Sequence, residues 1–207
     1  MIGSAVPKDV ARTAYRRRRR ELPADVPPAA GRALAARAFS AMAEIVPSSA
    51  TVAAYLSAGR EPDTAPLLTG LHERGYDVVV PVCEPDRMLS WCRWTPGVPL
   101  VPGLFPSVPE PAGPRLQVEE LPDLKLLLVP ALAVDRDGVR LGKGGGYYDR
   151  FLAGLRSAGN SIPAVAVVYD SEFAPAGSWT SDSLDEPVTG VLTPSQWTEL
   201  PAPPVYS

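Results

Sequence analysis

The chain has 207 residues, 45% of them hydrophobic and 21% charged, with a formal charge of −3. That length buries a proper core within one domain spanning 1–207, and the acidic balance excludes a general nucleic-acid binder despite one local arginine run. No apolar stretch reaches the roughly 18 residues needed to span a bilayer. No signal-type hydrophobic segment follows the first residues. Cys83, Cys92 and the lone His72 offer neither a disulfide framework nor a zinc site. The expectation is a cytoplasmic monomer with no nucleic-acid and no membrane partner.

Lys8 to Leu22 lacks proline and glycine and is arginine-rich, which predicts a helix that Pro23–Pro28 breaks. Leu34, Ala38, Met42 and Ile45 recur at helical spacing and predict a second helix over 29–45. "TVAAYLS" reads as a buried strand. A loop and a helix follow, and Gly75 is the left-handed stop. "YDVVVPVC" is the next strand, and "MLSWCRW" a short one at a sheet edge. The 25 prolines cluster at 96–114 and 194–204, predicting long ordered loops and a loose tail over 195–207. "LKLLLVPALAV" is nearly all apolar, the pattern of a central strand covered on both faces. A helix from Tyr147 to about Ala158, and strands in "IPAVAVVYD" and "PVTGVLTP", complete the alternation. Strands alternating with helices imply an α/β, three-layer αβα sandwich with a largely parallel, Rossmann-like sheet.

"RLGKGGGYYDR", residues 140–150, follows the central strand and opens a helix. Open α/β sheets bind ligands outside the carboxyl ends of their strands. Glycines let main chain approach a ligand closely and accept positive φ. Converging N–H groups and a helix N-terminus then form an anion cradle. Arg140, Lys143 and Arg150 add cations suited to phosphate oxygens. Asp149 would repel a bare phosphate and makes sense with a bridging Mg²⁺. A solvated hairpin is the plain alternative, but it has no need of Tyr-Tyr-Asp. Neither GxxxxGK[ST] nor GxGxxG can be drawn through these glycines.

"VPALAVDRDGVRLGKGGGYYDRFL" resembles the signature of the 5-formyltetrahydrofolate cyclo-ligase (methenyltetrahydrofolate synthetase) family. The resemblance implies ATP- and Mg²⁺-dependent closure of 5-formyltetrahydrofolate, whether or not it carries a polyglutamate tail, to 5,10-methenyltetrahydrofolate, with release of ADP and phosphate. In the implied mechanism the formyl oxygen is phosphorylated and N10 then attacks the activated carbon. It implies nucleotide contacts from Lys8, Arg12, Arg140, Leu141, Gly142, Lys143, Gly144, Gly145, Gly146, Tyr147 and Tyr148. Folate contacts are implied for Leu56 and Glu61 in "YLSAGREPDTAPLL", and for Lys143, Gly144, Gly145, Gly146 and Tyr147. Lys143, Tyr147 and Arg140 are the implied catalytic groups. Asp149 is the implied metal ligand, joined by Asp185 in "LDEPVTGVLTP", a segment that departs from the family pattern at Leu184 and Thr189. Another phosphoryl-handling enzyme would keep the glycine loop without needing Glu61. A non-catalytic relative would bind folate or nucleotide only.

Remaining signals read more plainly. Arg16–Arg20 is expected to be a solvated helix end, with attraction to a polyglutamate tail as its functional alternative. His72 sits in a surface-type helix. Trp91 and Trp94 suit a pocket wall or the core equally. Asp135-Arg136-Asp137-Gly138 is a β-turn rather than a calcium loop.

Overall fold

The computed structural model describes residues 5–106 and 108–201. In chain order its elements are α1 (Lys8–Glu21), α2 (Val26–Ile45), β1 (Thr51–Ala53), α3 (Ala65–Glu73), β2 (Asp77–Cys83), β3 (Leu89–Arg93), β4 (Leu100–Pro102), β5 (Pro109–Pro111) and β6 (Leu124–Pro130). There follow β7 (Ala133–Asp135), β8 (Arg140–Leu141), α4 (Tyr147–Ser157), β9 (Ala164–Val167), β10 (Phe173–Ala174), β11 (Gly190–Leu192) and β12 (Trp197–Glu199). The main sheet has the order β12-β11-β9-β6-β1-β2-β3, parallel throughout its interior and antiparallel at both edges.

Alternation along the strands divides the core. Val52, Val78, Val80, Leu126, Leu128, Val165 and Val167 meet Leu34, Ala38 and Met42 of α2 and Leu67, Leu68 and Leu71 of α3. Their sequence neighbours Ala53, Val79, Leu127, Val129 and Ala166 point the other way, toward Leu152 and Leu155 of α4. Each fully buried leucine contributes roughly 2 kcal/mol. These are the expected three layers. Trp94 packs in the first cluster and Trp91 in the second, so both indoles belong to the core.

Four sequence-based boundaries change. Helix α2 begins at Val26, because Pro27 and Pro28 occupy its first turn, where a missing N–H costs nothing. The apolar run 124–134 is two strands. The chain leaves the main sheet after Pro130, and β7 joins β8 and β10 in a small second sheet. The proline-rich stretch contains the hairpin β4–β5. The tail expected to be loose from 195 opens with β12, whose Trp197 packs against the α2–α3 core cluster; its residues 202–207 lie outside those described. Gly75, at φ +87°, ends α3 as expected. No helix among the described residues is long and apolar enough to cross a membrane.

Helix α1 stands apart. Its buried residues are Ala11 and Arg19. It rests on β7 and β8 through a cluster of Ala11, Leu132, Ala133, Leu141, Ala174 and Trp179. Tyr15, edge-on to Trp179, and a set of polar contacts supply the rest of its attachment.

Candidate functional site

The chain builds outward from β1 through β2 to β3, then returns past β1 and builds the other way through β6, β9, β11 and β12. The order reverses between β1 and β6, and the loops leaving the carboxyl ends of those two strands part there. A cleft of about 1050 Å³ opens at this point. The loop after β1 supplies Leu56 and Glu61. The segment after β6 supplies Arg140, the glycines 142–146, Lys143, Tyr147, Tyr148 and Asp149. Helix α1 adds Lys8 and Arg12, and the 180–186 segment adds Asp185. Of the site residues predicted from sequence, only Leu141 is not on the wall. Its side chain is fully buried in the cluster beneath α1.

Two glycines need their freedom. Gly144 has φ +100°, and Gly146, the N-cap of α4, has φ +72°. The loop's carbonyls are held by α1: Arg12 Nε donates to Gly142 O at 3.1 Å, and Arg16 Nη2 donates to Lys143 O at 2.7 Å.

Four of the predicted cations, Lys8, Arg12, Arg140 and Lys143, already face a carboxylate. Lys8 pairs with Asp185 and lies 3.9 Å from Asp182. Arg12 pairs with Asp9. Arg140 Nη2 donates to Asp149 at 2.7 Å, with its guanidinium 5.5 Å from the Tyr148 ring centre. Arg140 is almost wholly buried. Its guanidinium is held against Asp149 and reaches Pro130 O, while its Nε has no partner among the described residues. Lys143 Nζ lies 2.9 Å from Glu61 Oε1, and its side chain is half exposed.

Glu61 is only 5% exposed. Its Oε2 accepts the Ala58 N–H at 2.8 Å, whereas no donor is aligned on Oε1 among the described residues despite the nearby Lys143 charge. Arg19 Nη1 lies 4.0 Å from the same oxygen. Arg19 is the residue that sequence reasoning missed most clearly. It is 5% exposed and donates twice to Glu172, from Nε and Nη2, each at 2.7 Å. Nη2 also donates to Ala131 O. Burial pushes the Glu172 carboxyl above its ordinary range although Arg19 pulls it down. The arginine run is therefore not simply a solvated helix end. Lys8, Arg12, Arg16 and Arg19 follow helical spacing along one face, a period hidden by their arginine neighbours.

Tyr147 donates its hydroxyl to Glu84 O at 3.3 Å, and its ring meets Phe105 edge-on at 5.9 Å. The Tyr148 hydroxyl is buried with no partner among the described residues, and burial drives its pKa far above the phenol range. Burial also raises the Cys83 thiol, helped by Glu110 and Glu84. The cleft thus keeps its phenol and its thiol neutral, unsuited to nucleophilic attack.

Among the described residues no group of three or more His, Cys, Asp or Glu could hold a metal. That excludes a closed protein cage there but suits Mg²⁺, which takes one or two carboxylates together with phosphate oxygens and water. Asp149 and Asp185 both line this cleft and are carboxylates of the kind such an ion takes.

A crevice at the reversal of an α/β sheet, floored by a glycine loop and a helix N-terminus, defines a ligand-binding protein of the doubly wound class. Residues 5–194 match the 5-formyltetrahydrofolate cyclo-ligase family, and the chain belongs to that family. It is 38% identical over 194 residues to a 5-formyltetrahydrofolate cyclo-ligase of Mycolicibacterium smegmatis, covering 91% of this chain and 94% of that one. With the enzyme of the same name from Escherichia coli K12 it shares 33% over 151 residues, 70% of this chain and 79% of that one. The NMR structure of Aquifex aeolicus 5,10-methenyltetrahydrofolate synthetase superposes with a TM-score of 0.70 at 26% identity, covering 97% of this chain and 96% of that one.

Proposed function

We propose that this protein closes 5-formyltetrahydrofolate to 5,10-methenyltetrahydrofolate, using ATP and Mg²⁺ and releasing ADP and phosphate. One observation carries the reading: Lys143 of the glycine loop lies 2.9 Å from Glu61 of the loop after β1. An anion cradle and a buried carboxylate with an unaligned oxygen therefore share one cleft. A phosphoryl acceptor and a nucleotide can meet there.

The chemistry demands little covalent work from protein. Bound ATP with Mg²⁺ supplies the phosphoryl group that converts the formyl oxygen, a poor leaving group, into a good one, so that N10 can attack the carbon. The residues position the reactants and neutralise charge. Glu61 Oε1 accepts from the amino and ring N–H donors of the pterin, a charge-assisted pairing favoured by its burial. Leu56 packs on the ring. The N–H groups of Gly142–Gly146, with Lys143, Lys8 and Arg12, receive the phosphates. Arg140 acts through Asp149, holding one carboxylate oxygen and leaving the other for the metal. Asp185, now paired with Lys8, would be a second carboxylate for the metal, and Lys8 would then be free for phosphate. Tyr147 and Tyr148 wall the reacting group. With ATP and a charged folate as substrates, the reaction belongs in the cytoplasm.

The test is spectrophotometric, because the methenyl product absorbs near the visible edge and neither substrate does. Wild-type protein with 5-formyltetrahydrofolate, ATP and Mg²⁺ should form it. Asp149→Asn keeps an acceptor for Arg140 and should stay folded while losing turnover. Undiminished Mg²⁺-dependent turnover in that variant would remove Asp149 from the mechanism, and no product from wild type would end the reading itself.

A further inference from the structure

The hairpin between β2 and β3 turns through Pro85, Asp86 and Arg87 beside the cleft. Met88 N–H donates to Pro85 O at 3.3 Å. Both central residues are left-handed, Asp86 at φ +58° and Arg87 at φ +60°. Glycine makes such turns without steric cost and aspartate tolerates them, whereas a residue with a long side chain is strained there. The chain thus keeps an arginine where glycine would be the relaxed choice.

The retained side chain lies over the glycine loop. A Cβ built on Gly146, the N-cap of α4, would sit 3.8 Å from both Cδ and Nη1 of Arg87. Arg87 also lines the cleft. Lys8, Arg12, Arg140 and Lys143 must each share or leave a carboxylate before meeting an anion. Arg87 makes no ion pair or hydrogen bond among the described residues. Arg150 also lines the cleft with no partner for its side chain among the described residues, but no comparable backbone constraint holds it.

We propose that Arg87 is an oxyanion-binding residue of this enzyme, its forked guanidinium held by the strained hairpin against a phosphoryl oxygen at the N-terminus of α4. The inference rests on the nucleotide reading of the glycine loop. A planar fork matches phosphate in two places at once, which a lysine does not. A carboxylate of the folate's glutamyl tail offers related chemistry. Gly146 beneath the guanidinium favours the phosphate.

The experiment uses the full chain, with calorimetric titration of ATP plus Mg²⁺ and a parallel titration of 5-formyltetrahydrofolate. Arg87→Gly relieves the backbone and removes the guanidinium together. It should melt no lower than wild type and bind ATP with Mg²⁺ about 10- to 100-fold more weakly, the range of a charge-assisted hydrogen bond. Arg87→Lys should recover only part of the loss. ATP binding by Arg87→Gly equal to wild type overturns the proposal. So does a loss confined to the folate, which would assign Arg87 to the tail. A lowered melting temperature refutes the strain argument on which it stands. Absence of ATP binding by wild type would instead bring down the nucleotide reading beneath it.

Discussion

Glu61→Gln tests whether the cleft has separate folate and nucleotide sides. The new amide oxygen can still accept the Ala58 N–H, so the local turn survives. The new amide nitrogen would then oppose Lys143, which is half exposed and can swing into water at small cost. Arg19 keeps both of its bonds to Glu172. The loss in folding stability should stay within about 1 kcal/mol. A ligand whose N–H donors meet a buried carboxylate loses roughly 1.5–3 kcal/mol when that charge is removed, or about 10- to 100-fold in affinity. Steady-state assay should therefore show KM for 5-formyltetrahydrofolate rising by that factor while KM for ATP holds. An unchanged folate KM, or equal rises for both substrates, would refute the assignment of Glu61 to the pterin.

Lys143 cannot serve Glu61 and a phosphate with one ammonium, so nucleotide binding should free Glu61 and tighten folate binding. Calorimetry of folate with and without a non-hydrolysable ATP analogue should show this coupling in wild type and not in Lys143→Met; equal coupling in both would contradict it. Arg19→Met strands Glu172 in the core and should cost about 3–5 kcal/mol in denaturant unfolding, much of it regained in Arg19→Met/Glu172→Leu. A cost under about 1 kcal/mol, the range of an exposed pair, would show the bridge to be ornamental. At Asp170, burial by itself raises the carboxyl, but the hydroxyls of Ser195 and Thr193 and the Ser195 N–H outweigh it and lower the pKa. A lowered folded pKa gives stability that is complete above the unfolded value near 3.9 and lost as pH falls through the folded one. Asp170→Asn should thus flatten the decline in melting temperature below about pH 4, and an acid limb as steep as wild type would exclude that role.

What could be read from the chain alone follows from how far each signal reaches. Valine and leucine runs announce buried parallel strands, and glycines after one of them announce a ligand loop, because both are local demands on main chain. Trp197–Glu199 announces nothing of the kind: three residues after a proline become a strand only because the edge of β11 is there to pair with. The site shows the same division. Glu61 and Asp149 were recognisable in their segments, as were Lys143 and Arg140 that face them, but the ion pairs that dock α1 were not. Arg19 meets Glu172 across 153 positions and Lys8 meets Asp185 across 177, and no window of sequence spans such distances. Arg87 was invisible for another reason, since nothing in "EPDRM" states that two of its residues turn left-handed.

Helix α1 leaves the ribosome long before its anchors exist. Glu172 and Asp185 are synthesised only after the sheet strands β1 to β9, so the buried pair at Arg19 and the pair at Lys8 form late. The side of the cleft that α1 supplies therefore gains these two ion-pair anchors only near the end of synthesis.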